Sequence, residues 1–342
     1  MSAGPTDLSR CITAALDAKT KPPRSLGRLE DLAVEIGLAQ QTEQPSVDPA
    51  RVIVFAGDHG VAADGVSAYP PAVTAQMCAT FTGGGAAVSV LAASVGAGLE
   101  VVDVGVAADV GDIDGLVHAK VAPGTANMRH GPAMSDAQAQ AARDVGRTAL
   151  ERAAASGARC VVLGEMGIGN STSASVLTAL TSGRPAEEVT GRGTGVDAEG
   201  LQTKRRVVAE VVERVQAQDL GPGGWLCEAG GLEIAAMVGA ALQAPRHRVV
   251  VLVDGFIATA AVLLACRIDD RVRRQLVFAH RSAEPGHTVA LDQLGATPLL
   301  DLGLALGEGS GGVVALPLLR AACDILRRMA TFADAGVSEA AR

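Results

Sequence analysis

The chain has 342 residues, 48% of them apolar but only 2% aromatic, and a formal net charge of −8. Its length suits one large domain with an appendage, or two domains. The scarcity of rings requires a core of Ala, Val, Leu and Ile and argues against base-stacking surfaces, while the acidic balance argues against a polyanion partner, which needs a broad excess of Lys and Arg.

The opening residues, "MSAGPTDLSRCITAALDAKT", lack the continuous apolar segment of a signal peptide. Helical apolar spacing runs through 7–20 and 28–41, separated by the breaker "KPPRSLG", and a polar linker, 41–49, follows. The pattern then changes. Short runs rich in β-branched residues at 51–56, 99–106, 159–164, 248–253, 275–280 and 298–306 read as strands. Between them lie Ala-rich helical segments, among them 135–155, 203–218 and 256–268, and from about 313 the tail returns to helix. Apolar strands alternating with helices indicate a parallel sheet covered on both faces. The cysteines at 11, 78, 160, 227, 266 and 323 form no CxxC pair and no metal-ligand spacing, so reduced thiols of a cytosolic protein are expected. Clean apolar runs such as 257–266 fall short of the ~18 residues a membrane span requires, and no span is expected.

What ends each strand is chemically informative. The runs lead into Gly57-Asp58-His59-Gly60, Gly164-Glu165-Met166-Gly167, Asp254-Gly255, His280-Arg281-Ser282 and Gly307-Glu308-Gly309. In an open parallel sheet ligands bind at the carboxyl ends of the strands, so these loops mark the candidate site. "GEMGIGNSTSASV" (164–176) puts glycines before Asn170-Ser171-Thr172 at a helix start, whose free N–H groups favour an anion. It is neither a Walker A loop nor a Rossmann fingerprint. "GRGTGVDAEGLQTKRR" (191–206) places Lys204 to close over a phosphate, or on a solvated cationic face. Asp58 reads as an acceptor that braces its loop; Asp58, His59 and His280 are also the groups a metal hydrolase would use, although their spacing matches no metal motif. Glu308 stands among bare glycine backbone, where it can brace a helix N-terminus or let a planar ligand approach a general base.

In this order, "KPPRSLGRLE", "AGDHGV", "GVSAYP", "GEMGIGN", "GRGTGVD", "DGF", "HRSAEPGH" and "LGEGSG" closely resemble the nicotinate-nucleotide:dimethylbenzimidazole phosphoribosyltransferase family, over nearly the whole chain. The resemblance implies a pentosyltransferase that moves a 5-phosphoribosyl group from nicotinate mononucleotide to a benzimidazole, for the lower ligand of cobalamin. It implies a three-layer α/β/α domain with a mainly parallel sheet (46–312) and a small helical lobe from segments 1–45 and 313–342. It further implies a cytoplasmic homodimer working without metal or cofactor. By the same resemblance Glu308 is the general base. Gly167, Gly193, Lys204 and Ser282 hold the phosphate, Glu165 lies beside the nucleotide, and Tyr69, Met77 and Leu306 contact the aromatic base. The family commonly has glycine where this chain has Arg24, and varies at the positions of Tyr69 and Met77, so adenine or a phenol stays open as acceptor beside benzimidazole. A metal-dependent phosphohydrolase and a non-catalytic nucleotide-binding regulator are the rival readings.

Overall fold

The computed structural model describes residues 5–338; the outer ends of the two expected terminal segments, 1–4 and 339–342, lie outside the described residues. The sheet has six strands, β1 (Ala50–Gly57), β2 (Gly98–Gly105), β3 (Leu116–His118), β4 (Cys160–Met166), β5 (Val250–Val253) and β6 (Leu276–Phe278), in the order β3-β2-β1-β4-β5-β6. Every pairing is parallel, with Val54 opposite Gly164 and Phe55 opposite Glu165 at the centre. Because side chains alternate along a strand, the sheet divides its apolar residues between two cores. Ile53, Phe55, Val161, Leu163, Val251 and Val253 face a core that includes residues of the helices Asp136–Ala155, Leu232–His247 and Phe256–Ile268. Val52, Val54, Cys160, Val162, Val250 and Leu252 face the other, with Arg28–Gln40, Ala72–Thr82, Ala87–Ser94 and Ser310–Arg328. This is the three-layer α/β/α arrangement expected from the alternation of strands and helices.

The lack of aromatic side chains is met by close backbone approach. A Cβ at Gly146 would overlap the backbone of Ala236, and one at Gly239 that of Arg143, so two long helices lie nearly in backbone contact. The chain ends meet: Thr20 donates its N–H to the Ala330 carbonyl at 3.0 Å, and Phe332 to that of Ala18 at 3.1 Å. Leu8, Ile12, Leu32 and Ile36 share one core with Val162, Leu316 and Leu319. The stretch 72–94 has the mean hydropathy, 1.3, and the length of a membrane crossing. Gly83 caps the first half, however, so the stretch is two helices of 11 and 8 residues, each well short of the ~20 residues a span needs.

One element expectation is corrected, and one strand lies outside those expected. Residues 298–306 do not form a strand; they run beside β6 with one isolated bridge, His280 to Leu300, before Gly303 turns the chain at φ 68°. Their apolar side chains are partly exposed, Leu302 at 59% and Leu306 at 57%, and Ala305 and Leu306 wall a cavity instead of the core. Conversely β3 is too short to show any periodicity.

The strand order reverses at β1. The chain passes from β1 to β2 and β3 on one side, then returns past β1 to β4, β5 and β6 on the other, leaving a crevice between the carboxyl ends of β1 and β4.

Candidate active site

Beyond the carboxyl ends of β4, β5 and β6 a cavity of about 540 Å³ is closed on one side by the turn Gly307-Glu308-Gly309. All three residues are left-handed, with φ of 85°, 65° and 91°. Glycine adopts this conformation freely, whereas at Glu308 it costs on the order of 1 kcal/mol, so neighbours must hold the turn. The Glu308 carbonyl occupies the space a Cβ would take at Gly164, which accounts for a glycine inside β4. The Asp254 carboxylate accepts the N–H of Gly309 at 3.1 Å and of Gly312 at 2.8 Å. The Glu308 side chain lines the cavity yet is only 6% exposed, and its Oε2 accepts the Val88 N–H at 3.4 Å. Burial holds its carboxyl above the usual carboxylate range, against the pull of the Val88 bond and with a contribution from Asp254.

Glu165, at the end of β4, packs against the same turn, its Oε1 occupying the space a Cβ of Gly307 would take. Burial, and after it the charges of Asp254 and Glu233, push its carboxyl up to about 8, although Oε2 accepts a hydrogen bond from Asn170 Nδ2. Near neutral pH it is therefore mostly protonated and able to donate. Gly167 follows, packed so closely on β1 that a Cβ would overlap the Gly57 carbonyl.

The far end of the cavity is polar. Lys204 is fully buried, donates to Ser171 Oγ at 2.8 Å, and has no carboxylate within ion-pair distance among the described residues. Burial pulls its ammonium down to about 8, with Glu284 opposing. Beside it the Gly193 N–H donates to Glu284 Oε1 at 2.8 Å. Ser282 Oγ accepts the Glu284 N–H at 3.2 Å. The Ser282 N–H in turn donates to His287 Nδ1 at 2.9 Å, which leaves the His287 Nε2 proton for Thr259 Oγ1, also at 2.9 Å. Burial pushes the His287 imidazolium down to about 3, so this ring is neutral. A buried cation short of a counter-ion is an incomplete arrangement that an anion would complete. Tyr69, Val73, Met77, Phe256, Ile257 and Leu306 supply the apolar lining.

Glu308, Glu165, Gly167, Gly193, Ser282, Tyr69, Met77 and Leu306 thus line one cavity, and Lys204 stands immediately behind Ser171. The groups of the rival hydrolase are separately engaged. Asp58 accepts from Thr74 Oγ1 at 2.6 Å and the Ala107 N–H at 2.8 Å, bracing its loop, and His59 Nε2 meets buried Glu233 at 2.7 Å. His280 lies 3.6 Å from Asp254. Among the described residues no three His, Cys, Asp or Glu side chains are grouped to hold a metal ion. Sequence reasoning missed Asp254, Glu284 and His287 as supports of the site. The available signals were a strand-end acid at Asp254 and the HRSAEPGH stretch that holds Glu284 and His287; the turns that Asp254 and Glu284 brace lie 55 and 91 positions away in the chain.

A reversed parallel sheet framing a cavity with a buried cation at one end and acids beside an apolar wall at the other defines an α/β enzyme for a small anionic substrate. A phosphoribosyltransferase family model matches residues 5–337, and the chain belongs to that family. It is 50% identical over 320 residues to the nicotinate-nucleotide–dimethylbenzimidazole phosphoribosyltransferase of Ectopseudomonas mendocina (strain ymp), covering 94% of this chain and 91% of that protein. A protein of the same name from Pseudomonas fluorescens (strain SBW25) is also 50% identical, with the same coverage. The crystal structure of CobT from Thermus thermophilus superposes with a TM-score of 0.94 at 46% identity, over 98% of this chain and 100% of that one.

Proposed function

We propose that the protein transfers the 5-phosphoribosyl group of nicotinate mononucleotide to 5,6-dimethylbenzimidazole, giving α-ribazole 5′-phosphate and nicotinate. The observation that carries this reading is Glu308, a buried carboxylate in a glycine turn at the apolar end of a cavity whose other end is backed, behind Ser171, by the buried Lys204 ammonium. Relatives bearing the corresponding name at 50% identity support it.

The chemistry explains why one carboxylate suffices. The ribosyl carbon is bonded to a pyridinium nitrogen, so when that bond breaks its electron pair neutralises the leaving ring and no general acid is needed. The unprotonated nitrogen of the benzimidazole attacks the same carbon from the opposite face, inverting β to α, and the new ring becomes cationic. Its second nitrogen then loses a proton to Glu308. A carboxyl raised toward neutrality by burial is a better-matched base than an exposed one, and holding two rings face to face supplies much of the remaining acceleration. In this reading Gly167, Gly193, Lys204 and Ser282 hold the phosphate, Glu165 lies beside the nucleotide, and Tyr69, Met77 and Leu306 contact the incoming base. The working form is a cytoplasmic homodimer, with the small lobe built from segments 1–45 and 313–342.

Incubation with nicotinate mononucleotide and dimethylbenzimidazole in the presence of chelator tests the proposal. Nicotinate release that is lost in Glu308→Gln is expected; no release, or full activity in the variant, refutes it. Tyr69 and Leu306 are more than half exposed, at 55% and 57%, so adenine run in parallel measures how strictly this open wall selects the acceptor.

A further inference from the structure

Glu308 is held in a strained turn by residues on other strands, and the manner of holding carries an inference that rests on the transferase reading above. Asp254, at the end of β5, is 2% exposed, and both its oxygens are spent on backbone: Oδ2 on the Gly309 N–H and Oδ1 on the Gly312 N–H. These amides flank the first turn of the helix that Glu308 precedes. The His280 ring, at the end of β6, packs where a Cβ of Gly311 would lie, and its Nε2 is 3.6 Å from Asp254 Oδ1. We infer that Asp254 and His280 are a positioning pair for the general base: Asp254 fixes the turn that aims Glu308, and His280 fixes and charge-balances Asp254.

The charged surroundings are few. Asp254 from β5 and Glu165 from β4 face this corner along with His280. The helices Ala87–Ser94 and Ala72–Thr82 contribute the Val88 N–H but no charged side chain. His287, with ring centroid 6.1 Å from that of His280, is neutral, and Arg281 and Asp301 lie on the outer side of His280. Burial lowers the proton affinity of His280, but Asp254, together with the Arg281 backbone and Asp301, outweighs this and holds it above the ordinary value. His280 therefore keeps its proton to higher pH than a free imidazole, and Asp254 is among the groups that raise Glu308.

Two substitutions then act in opposite directions. Asp254→Asn removes the anion and points an amide N–H₂ at one of the two backbone N–H groups. It is expected to lower kcat about 10-fold or more, since small misplacements of a reacting group are costly, and to move the acid limb of the kcat profile to lower pH. His280→Gln keeps a donor but loses the charge, leaving Asp254 uncompensated, and moves that limb to higher pH. The affinity for nicotinate mononucleotide, measured by calorimetry, changes less than kcat in both, because the phosphate is held at the Lys204 end of the cavity. Any titration of the substrates is common to all three profiles. Limbs that coincide with the parent's, or an Asp254→Asn enzyme with unchanged kcat, overturn the pairing while leaving the transferase reading intact. If Asp254→Asn does not fold, the direction of the His280→Gln shift alone decides. A parent protein that releases no nicotinate overturns the transferase reading and this inference with it.

Discussion

At the scale of the residue, Glu308 combines two unfavourable choices, a left-handed backbone and a buried carboxyl. Both are intelligible if the side chain must act as a base at a fixed point. Activity requires the carboxylate, and burial raises its proton affinity, so kcat is expected to fall as pH drops through a value above the ordinary 4.5 of a glutamate. A kcat profile still flat below that value would contradict the assignment. The sign for stability is opposite: a group whose folded pKa is raised favours folding most when protonated. Glu308→Gln should therefore unfold at the same or higher temperature at pH 7 while losing activity, a separation of function from stability common at catalytic positions. Arg24 is another non-glycine residue with a left-handed backbone. Its φ of 60° is a conformation glycine adopts freely and other residues do not, and its guanidinium donates to Asp31 at 2.6 Å on the surface. Arg24→Gly and Arg24→Val both lose that exposed bond, so the difference between them reports the backbone alone. The valine variant is expected to be less stable by about 1 kcal/mol or more, measured as a shift in denaturant midpoint.

At the scale of the element, the turn before the helix Ser310–Arg328 and strand β4 fit each other through the missing side chain of Gly164. Gly164→Ala drives a methyl into the Glu308 carbonyl, and overpacking of this kind costs about 1–3 kcal/mol. Because the displaced group is the base's own backbone, kcat should fall with little change in nucleotide affinity. Gly131→Ala, where a Cβ meets nothing within 4 Å, is the control expected to leave both alone. Elements of this fold were readable to the extent that their signal was local. β1, β2, β4, β5 and β6 announced themselves as β-branched runs, and the helix Phe256–Ile268 coincides with its predicted span. Segment 298–306 misled because apolar residues that wall a cavity look, in one dimension, like those that fill a core. The candidate site was legible for a related reason: Glu165 ends a strand, while Gly167, Ser282 and Glu308 lie in turns just beyond strands or their continuation, and parallel topology alone brings those places together. Asp254 under Gly309, Glu284 on Gly193 and His59 against Glu233 were not legible, since they join residues 55, 91 and 174 positions apart with no periodicity to record the pairing.

At the scale of the whole molecule, a chain of net charge −8 keeps one ammonium, Lys204, fully buried without a carboxylate partner among the described residues, and the stability of the fold should register that cost. Burial brings Lys204 from 10.5 down to about 8. A shift of this size corresponds to as much as about 3 kcal/mol withheld from the folded state wherever the unfolded chain would be protonated. Between about pH 8 and 10.5 the unfolded form binds the proton and the folded form does not, so this penalty fades as pH rises through that window and is complete below it. Lys204→Met, of similar length and no charge, is therefore expected to raise Tm relative to the parent below pH 8, with the advantage shrinking toward pH 10.5. Comparing the two proteins at each pH cancels the contribution of the buried cysteines, whose raised thiols oppose the trend. An anionic ligand closes most of that gap. A ligand at 100 times its Kd stabilises the folded state by about 2.7 kcal/mol, and nicotinate mononucleotide should deliver this to the parent but little of it to the variant. The check is differential scanning calorimetry of both proteins at pH 7, with and without the nucleotide. A variant less stable than its parent, or one stabilised equally by the nucleotide, would mean that the Lys204 charge is satisfied within the protein and plays no part in holding a phosphate.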